Sequence, residues 1–235
     1  MTAPVREEGK TFAIGFSSYL EKSGALNQWI QFDNILKALF YISFGLWKAP
    51  FMGTGKNLCY RKSFFMEVKG FKGFWGIEGG DDSIFVNTYA NGSNTKVVID
   101  SKAITLSAPK ENWKEYIQHE KHQLHAERFF HVEDKRKMGL YGVSHALYWI
   151  GGIGLLIYFG IGLRWEYFLV VFGLLGLRSF MLISIFKATS KNLQGNLPKL
   201  NVLINDLKII FCNSFSHVMN NSKYTSRIKL SRVCC

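Results

Sequence analysis

Cysteine is scarce and unpatterned in this chain of 235 residues. Cys59, Cys212, Cys234 and Cys235 form neither a disulfide framework nor a metal-ligand spacing. That excludes a stapled secreted scaffold and fits a reducing, cytoplasmic compartment. The opening MTAPVREEGKTF lacks the apolar stretch of a secretory signal. Acids are in deficit, 17 against 29 Lys and Arg, which leaves a net charge of +12. No internal repeat and no low-complexity tract occurs. The most informative absence lies between Met138 and Leu163, where there is no Asp, Glu, Lys or Arg.

A helix of that length crosses the ~30 Å hydrocarbon core of a bilayer. Residues 140–163 therefore predict one transmembrane helix. YFLVVFGLLGL and SFMLISIF, broken only by Arg178, predict a second over 166–186. The short RWE link makes the two a hairpin, with Trp149, Tyr158, Trp165 and Tyr167 as candidate interfacial aromatics. Lys135, Arg136 and Lys137 precede the first span; Lys187, Lys191 and Lys199 follow the second. The positive-inside tendency then puts both flanks in the cytoplasm and only the RWE link across. Because the basic residues cluster beside the spans, the excess charge reads as a face toward anionic lipid, and nucleic acid is disfavoured as a partner. The hydrophobic fraction, 48%, and the mean hydropathy, +0.03, are high for a chain this charged because the apolar residues are concentrated in these segments.

Ahead of the spans the pattern is mixed. TAPV reads as the end of a strand. Residues 28–47 read as a helix, with Trp29, Phe32, Leu36, Leu39, Phe40, Ser43 and Trp47 at three- and four-residue steps. That stripe is either a core face or an interfacial one, and Asp33, Lys37 and Lys48 rule out a span. Residues 50–62 run from a Gly-punctuated loop into a short strand. Residues 70–80 form a second Gly-rich loop bearing Phe71, Phe74 and Trp75, which look exposed. DDSIFVNTYANG predicts a helix starting at its acids, TKVVID a buried strand, and 110–131 an amphipathic charged helix. In the tail, LNVLINDLKIIF suggests an interfacial helix.

Three short stretches carry candidate chemistry. In GGDD, Asp81 and Asp82 are either plain helix-capping acids or carboxylates set where flanking glycines let a ligand approach. GTGKNLCYRK is not a phosphate-binding P-loop, which needs G-x-x-x-x-G-K-[ST], and a tight turn before a strand explains it equally well. QHEKH misses the H-E-x-x-H zinc helix by one residue, so His119, His122 and His125 read as a solvated or headgroup-facing side. Arg178 is a further anomaly. A charge in mid-span costs roughly 2.5–3.5 kcal/mol on insertion scales, so it must face protein, water or headgroups, or else snorkel.

In order and spacing, MGTGKNLCYRKSFF, then GGDDSIFVN, then W…Q-x-x-K-H, then membrane helices, resembles the C-terminal half of family-two inverting glycosyltransferases. The nearest group is the membrane-bound enzymes related to cellulose and hyaluronan synthases. The resemblance covers roughly residues 1–190 and implies an α/β fold: a partial GT-A, Rossmann-like catalytic domain over 1–139, a transmembrane hairpin over 140–190, and a cytoplasmic tail over 191–235. It further implies an acceptor loop at Gly53, Thr54, Gly55 and Asn57 with Arg61 nearby. The family's Glu-Asp pair falls on Gly80 and Asp81, making Asp81 the expected general base and Asp82 the second choice. The Q-x-x-R-W motif falls on Gln118, Lys121 and His122; Lys121 gives a point charge where arginine would give a bidentate grip, and His122 is a smaller platform than tryptophan. Lys121, Arg61 and Lys62 would face the leaving diphosphate.

The family's Mg²⁺ or Mn²⁺ is held by a D-x-D motif that this chain does not contain. MTAPV resembles the strand just after it. The expectation is therefore a truncated product, a fragment, or one half of a split enzyme whose other chain carries the N-terminal half, binding donor poorly alone. The expected activity is sugar transfer from a nucleotide sugar to a saccharide or lipid acceptor, with inversion, in a multi-pass inner-membrane protein whose catalytic part is cytoplasmic. The rival readings are a non-catalytic membrane-anchored remnant or assembly module, and a scaffold whose basic face holds lipid.

Overall fold

The computed structural model describes residues 1–77, 79–192 and 202–209. It is a mixed α/β fold with two long apolar helices. The chain begins with a short helix α1 (Ala3–Arg6), where the TAPV stretch reads as a strand; Pro4 in its first turn presets the helical φ. Strands β1 (Phe12–Gly15) and β2 (Ser17–Tyr19) follow, and residues 12–18 are buried without interruption. That continuous run is the mark of a strand covered on both faces.

β1 is the middle of a three-stranded sheet. It pairs antiparallel with β3 (Leu58–Tyr60), Phe12 opposite Tyr60, and parallel with β4 (Thr95–Val98), Phe12 opposite Thr95. β2 pairs parallel with β5 (Thr105–Ser107) in a separate two-stranded sheet. β4, expected to be buried, is only half so, because it forms an edge: Thr95 is buried and Lys96 is exposed.

Helix α2 (Ala25–Leu46) covers the strands. Of the expected stripe, Trp29 and Phe32 are buried, Leu36, Leu39 and Phe40 are half-buried against the core, Ser43 is exposed and Trp47, just past the helix end, is 82% exposed; the fully buried line continues instead through Ile35, Ala38 and Tyr41. The same helix satisfies loose carbonyls of the β2 segment. Asn27, Gln31 and Asn34 donate to Leu20, Tyr19 and Ser17 at 3.2, 2.8 and 2.9 Å, and Tyr41 donates to Gly15 at 3.1 Å.

Helix α3 (Lys62–Glu67) leads to a Gly-rich loop and then to helix α4 (Asp81–Tyr89). Phe85, fully buried, anchors α4 in an aromatic cluster, with ring centroids 5.2–5.6 Å from Phe12, Tyr60, Phe65, Phe71 and Tyr89. Phe71 and Phe74 pack on this core. Of the three aromatics of the Gly-rich loop, Trp75 alone stands 82% exposed.

Helix α5 (Trp113–Glu127) starts at Asn112, whose side chain accepts from the Glu115 N–H at 2.9 Å. Four residues later α6 (Val132–Ile161) begins, so the basic Lys135–Lys137 cluster lies on the helix itself rather than before it. Helix α7 (Trp165–Asn192) returns, and a further helix, α8, covers 202–209. By length and composition α6 and α7 suffice to cross a membrane.

Asn87 of α4 joins the two parts. Its amide donates to the Phe51 carbonyl and to Asp134 of α6, both at 2.9 Å, and accepts from the His131 N–H at 2.7 Å. Lower down, Phe32 of α2 stacks on Phe186 of α7 at 5.0 Å.

Candidate functional site

The glycine turn at 53–57, the Gly79–Gly80 turn with the start of α4, and α5 meet in one place. Ser83 Oγ donates to the Gly53 carbonyl at 2.8 Å. A Cβ built on Gly55 would stand 1.8 Å from Asp82 Oδ2, so only glycine leaves room for that carboxylate. On the other side, a Cβ on Gly79 would lie 3.2 Å from His122 Cβ, and one on Gly80 would lie 2.3 Å from Ala126 Cβ. Gly80 adopts φ +74°, the left-handed conformation that turns the chain into α4. Met52, Gly80, Ser83, Gln123, Ala126, Glu127 and Phe130 line a small cleft at this junction, with room for about one water molecule.

Asp82, not Asp81, packs on the glycine turn. Burial, and secondarily the charge of Asp81 beside it, push the Asp82 carboxyl above the usual range. Tyr60 of β3 is pushed up as well, by burial and then by Asp82 and Asp81. Both acids sit in the first turn of α4, where free N–H groups and the helix dipole favour negative charge.

Several residues expected to face a ligand do structural work instead. Asn57 is 4% exposed, and its amide donates to the Phe16 and Ala103 carbonyls at 2.6 and 2.7 Å, tying the glycine turn to both sheets. It lies against Gly15, where a Cβ would come within 2.7 Å of its Nδ2. Arg61 turns away and donates to the Gly9 and Lys10 carbonyls, pinning the loop before β1. Gln118 is exposed at the surface of α5, while Lys121 and His122, on the next turn, are half-buried.

A polar cluster between α2 and α5 escaped the sequence reading. The Lys37 ammonium bridges Asp33, at 2.7 Å, and Glu120. Tyr116 donates to the same Asp33 carboxylate at 2.9 Å. Burial alone would lower the Lys37 pKa, but the two acids outweigh it and hold the ammonium protonated. Glu120 is nevertheless pushed up, because burial and Asp33 outweigh the single ammonium the two acids share. Asp33 and Lys37 form an i,i+4 pair legible in the sequence; their partner 83 residues along the chain is not.

Beside this cluster Lys56 lies over the Tyr19 ring, 3.9 Å from its centroid, and donates to its hydroxyl. Burial, with Lys110 and Lys37 nearby, lowers its pKa to about 8. His119 is lowered to about 4 by burial and then by Lys56, so it is neutral at pH 7 and takes part in a 3.3 Å hydrogen bond with Gln123. Glu127, facing the cleft, is pushed up to about 7, chiefly by burial.

Among the described residues no group of three or more His, Cys, Asp or Glu is arranged to hold a metal ion. The Mg²⁺ or Mn²⁺ that the resemblance implies has no fitting donor set here: the two acids of the site are neighbours in sequence, one of them packed on a glycine. Comparison with protein families, with characterised proteins and with solved structures returns no match.

Proposed function

We propose that the chain is the acceptor-side part of a membrane-bound inverting glycosyltransferase of the family-two type, with the spans α6 and α7 as a hairpin whose flanks are cytoplasmic. The observation that carries this reading is convergence. Three stretches far apart in the chain come together at the start of α4: the glycine turn at 53–57 packs on Asp82 and Ser83, while His122 and Ala126 of α5 pack on Gly79 and Gly80, an arrangement in keeping with the acceptor loop, base and diphosphate-holding helix that the resemblance implies. The membrane part is supported by exposure: within the apolar windows of α6 and α7, 6% and 0% of residues are buried, so these helices present bare hydrocarbon outward, which water does not tolerate over so large a surface.

On this reading the Asp82 carboxylate takes the proton of an acceptor hydroxyl. The oxygen attacks the anomeric carbon of the donor sugar, and the bond from that carbon to the diphosphate breaks on the opposite face. The leaving oxygen keeps the electron pair, next to the cations of α5 and Lys56. A base in hydrogen-bond reach contributes roughly 10²- to 10⁴-fold.

The test is transfer from a panel of nucleotide sugars, in membranes holding the chain together with a donor-binding half. Asp82→Asn is expected to lower kcat/KM by about a hundredfold or more. Asp81→Asn removes one of the two causes that raise Asp82, so it retains activity and moves the acid limb of the pH profile downward. Loss of transfer in Asp81→Asn with none in Asp82→Asn returns the base to Asp81. No loss in either favours the non-catalytic module.

A further inference from the structure

Arg178 lies thirteen residues beyond Trp165, about 20 Å along α7 at roughly 1.5 Å per residue, within the apolar part of the hairpin. Its guanidinium is engaged by protein groups, with 29% of the side chain left exposed. Its Nη1 donates to Asp206 Oδ2 at 2.7 Å, and Trp149 Nε1 donates to the same oxygen at 2.9 Å. Its Nη2 donates to His145 Nδ1 at 3.0 Å, while His145 Nε2 donates to the Asp206 backbone carbonyl at 3.0 Å. The guanidinium rests 4.3 Å from the Tyr148 ring centroid and 5.8 Å from that of Trp149. Every donor belongs to α6 or α7. The anion alone comes from α8.

The burial of α8 follows one helical face. Val202, Asn205, Asp206 and Ile209, at i, i+3, i+4 and i+7, are buried, whereas Ile204 and Lys208 are exposed. Asp206 is 0% exposed. An interfacial helix would turn its acid and amide to water and its Ile204 inward; α8 does the reverse. Its eight described residues extend about 12 Å, well short of a ~30 Å core.

We propose that Arg178, Trp149 and His145 form a docking site inside the hairpin and that its occupant is the chain's own α8, seated by the Asp206 carboxylate as a third, non-spanning element at bilayer depth. The depth rests on the reading that α6 and α7 cross the membrane. A lone guanidinium or a lone carboxylate is unfavourable there, but the pair carries no net charge, and Asp206 Oδ2 takes two hydrogen bonds from the protein while its Oδ1 is buried without one. Either partner left alone releases the tail. Lys208, on the outward side, has a long stem with which to reach the headgroups.

The experiment uses the full chain in inside-out vesicles, with Cys59, Cys212, Cys234 and Cys235 changed to serine. Single reporters, Gly162→Cys, Lys187→Cys and Ile204→Cys, are treated with a membrane-impermeant maleimide. Lys187→Cys reacts and Gly162→Cys does not if the hairpin crosses. Ile204→Cys is expected to react about tenfold more slowly than Lys187→Cys, to approach the Lys187→Cys rate in Arg178→Gln or Asp206→Asn, and to be slow again in the double variant, which leaves neither charge unpaired. Fast labelling of Ile204→Cys in the parent overturns the docking, as do single variants without effect or a double variant as fast as the singles. Labelling of Gly162→Cys and Lys187→Cys from the same side removes the membrane reading itself, and the proposed depth with it.

Discussion

Gly55 illustrates how much one hydrogen atom in place of a methyl group decides. A Cβ there meets the end of a short, rotatable carboxylate rather than backbone, so Gly55→Ala is expected to fold with its melting temperature nearly unchanged while Asp82 swings aside and transfer falls with it. Gly80 is the opposite case. Its added Cβ would meet buried Ala126, and its φ of +74° is itself unfavourable for any other residue. Gly80→Ala is expected to lose about 2–4 kcal/mol, from strain and overpacking together, read as a lowered unfolding midpoint in detergent. Glu127 makes a pH prediction. Its folded pKa, about 7, lies above the unfolded value of 4.5, so between those values the folded chain holds more protons and stability falls as pH rises. Glu127→Gln should flatten that decline in a series of thermal melts from pH 4.5 to 7. The acids of GGDD were legible as candidates because acids after paired glycines are a local signal. Which of them packs on Gly55 was not, since adjacent residues on a helix point about 100° apart and only the tertiary contact selects one.

At the scale of elements, α2 shows where pattern reading succeeds and where it stops. Its aromatic stripe was legible, but only Trp29 and Phe32 of it are fully buried, and the core line runs one position over, through Ile35, Ala38 and Tyr41. Asn27, Gln31 and Asn34, on which the pattern is silent, bond the carbonyls of the β2 segment, a use that depends on a strand lying alongside. Strand β4 was legible from its β-branched residues, but an edge position halves its burial, and no feature of TKVVID itself tells edge from centre. The join between α4 and α6 rests on Asn87. Asn87→Ala leaves the Phe51 carbonyl, the His131 N–H and Asp134 each short of a partner, in a setting where each unsatisfied buried group costs about 1–3 kcal/mol. The expected result is a lowered midpoint and faster proteolysis at residues 128–131, with far-ultraviolet dichroism little changed because no helix is lost.

For the whole molecule, the two long apolar helices were legible in the sequence alone: twenty-six residues without a charge, and the apolar run after them, are long enough to cross a bilayer, and that follows from composition before any fold exists. The helices at 81–89 and 113–127 and the short strand before α3 were likewise written locally, in caps, glycines and periodicity. Tertiary structure decided what those signals leave free. It gave Asp82 rather than Asp81 to the glycine turn, took Asn57 and Arg61 for the scaffold, and paired Glu120 with Lys37 across 83 residues. It also gave Arg178 an acid from the tail, whose sequence suggested only a surface helix. The physical reason is common to all of these. Helix and span propensities are sums over neighbours in the chain, whereas the partner of a buried charge or amide is whatever the fold brings within about 3 Å, and that distance is not encoded at any single position.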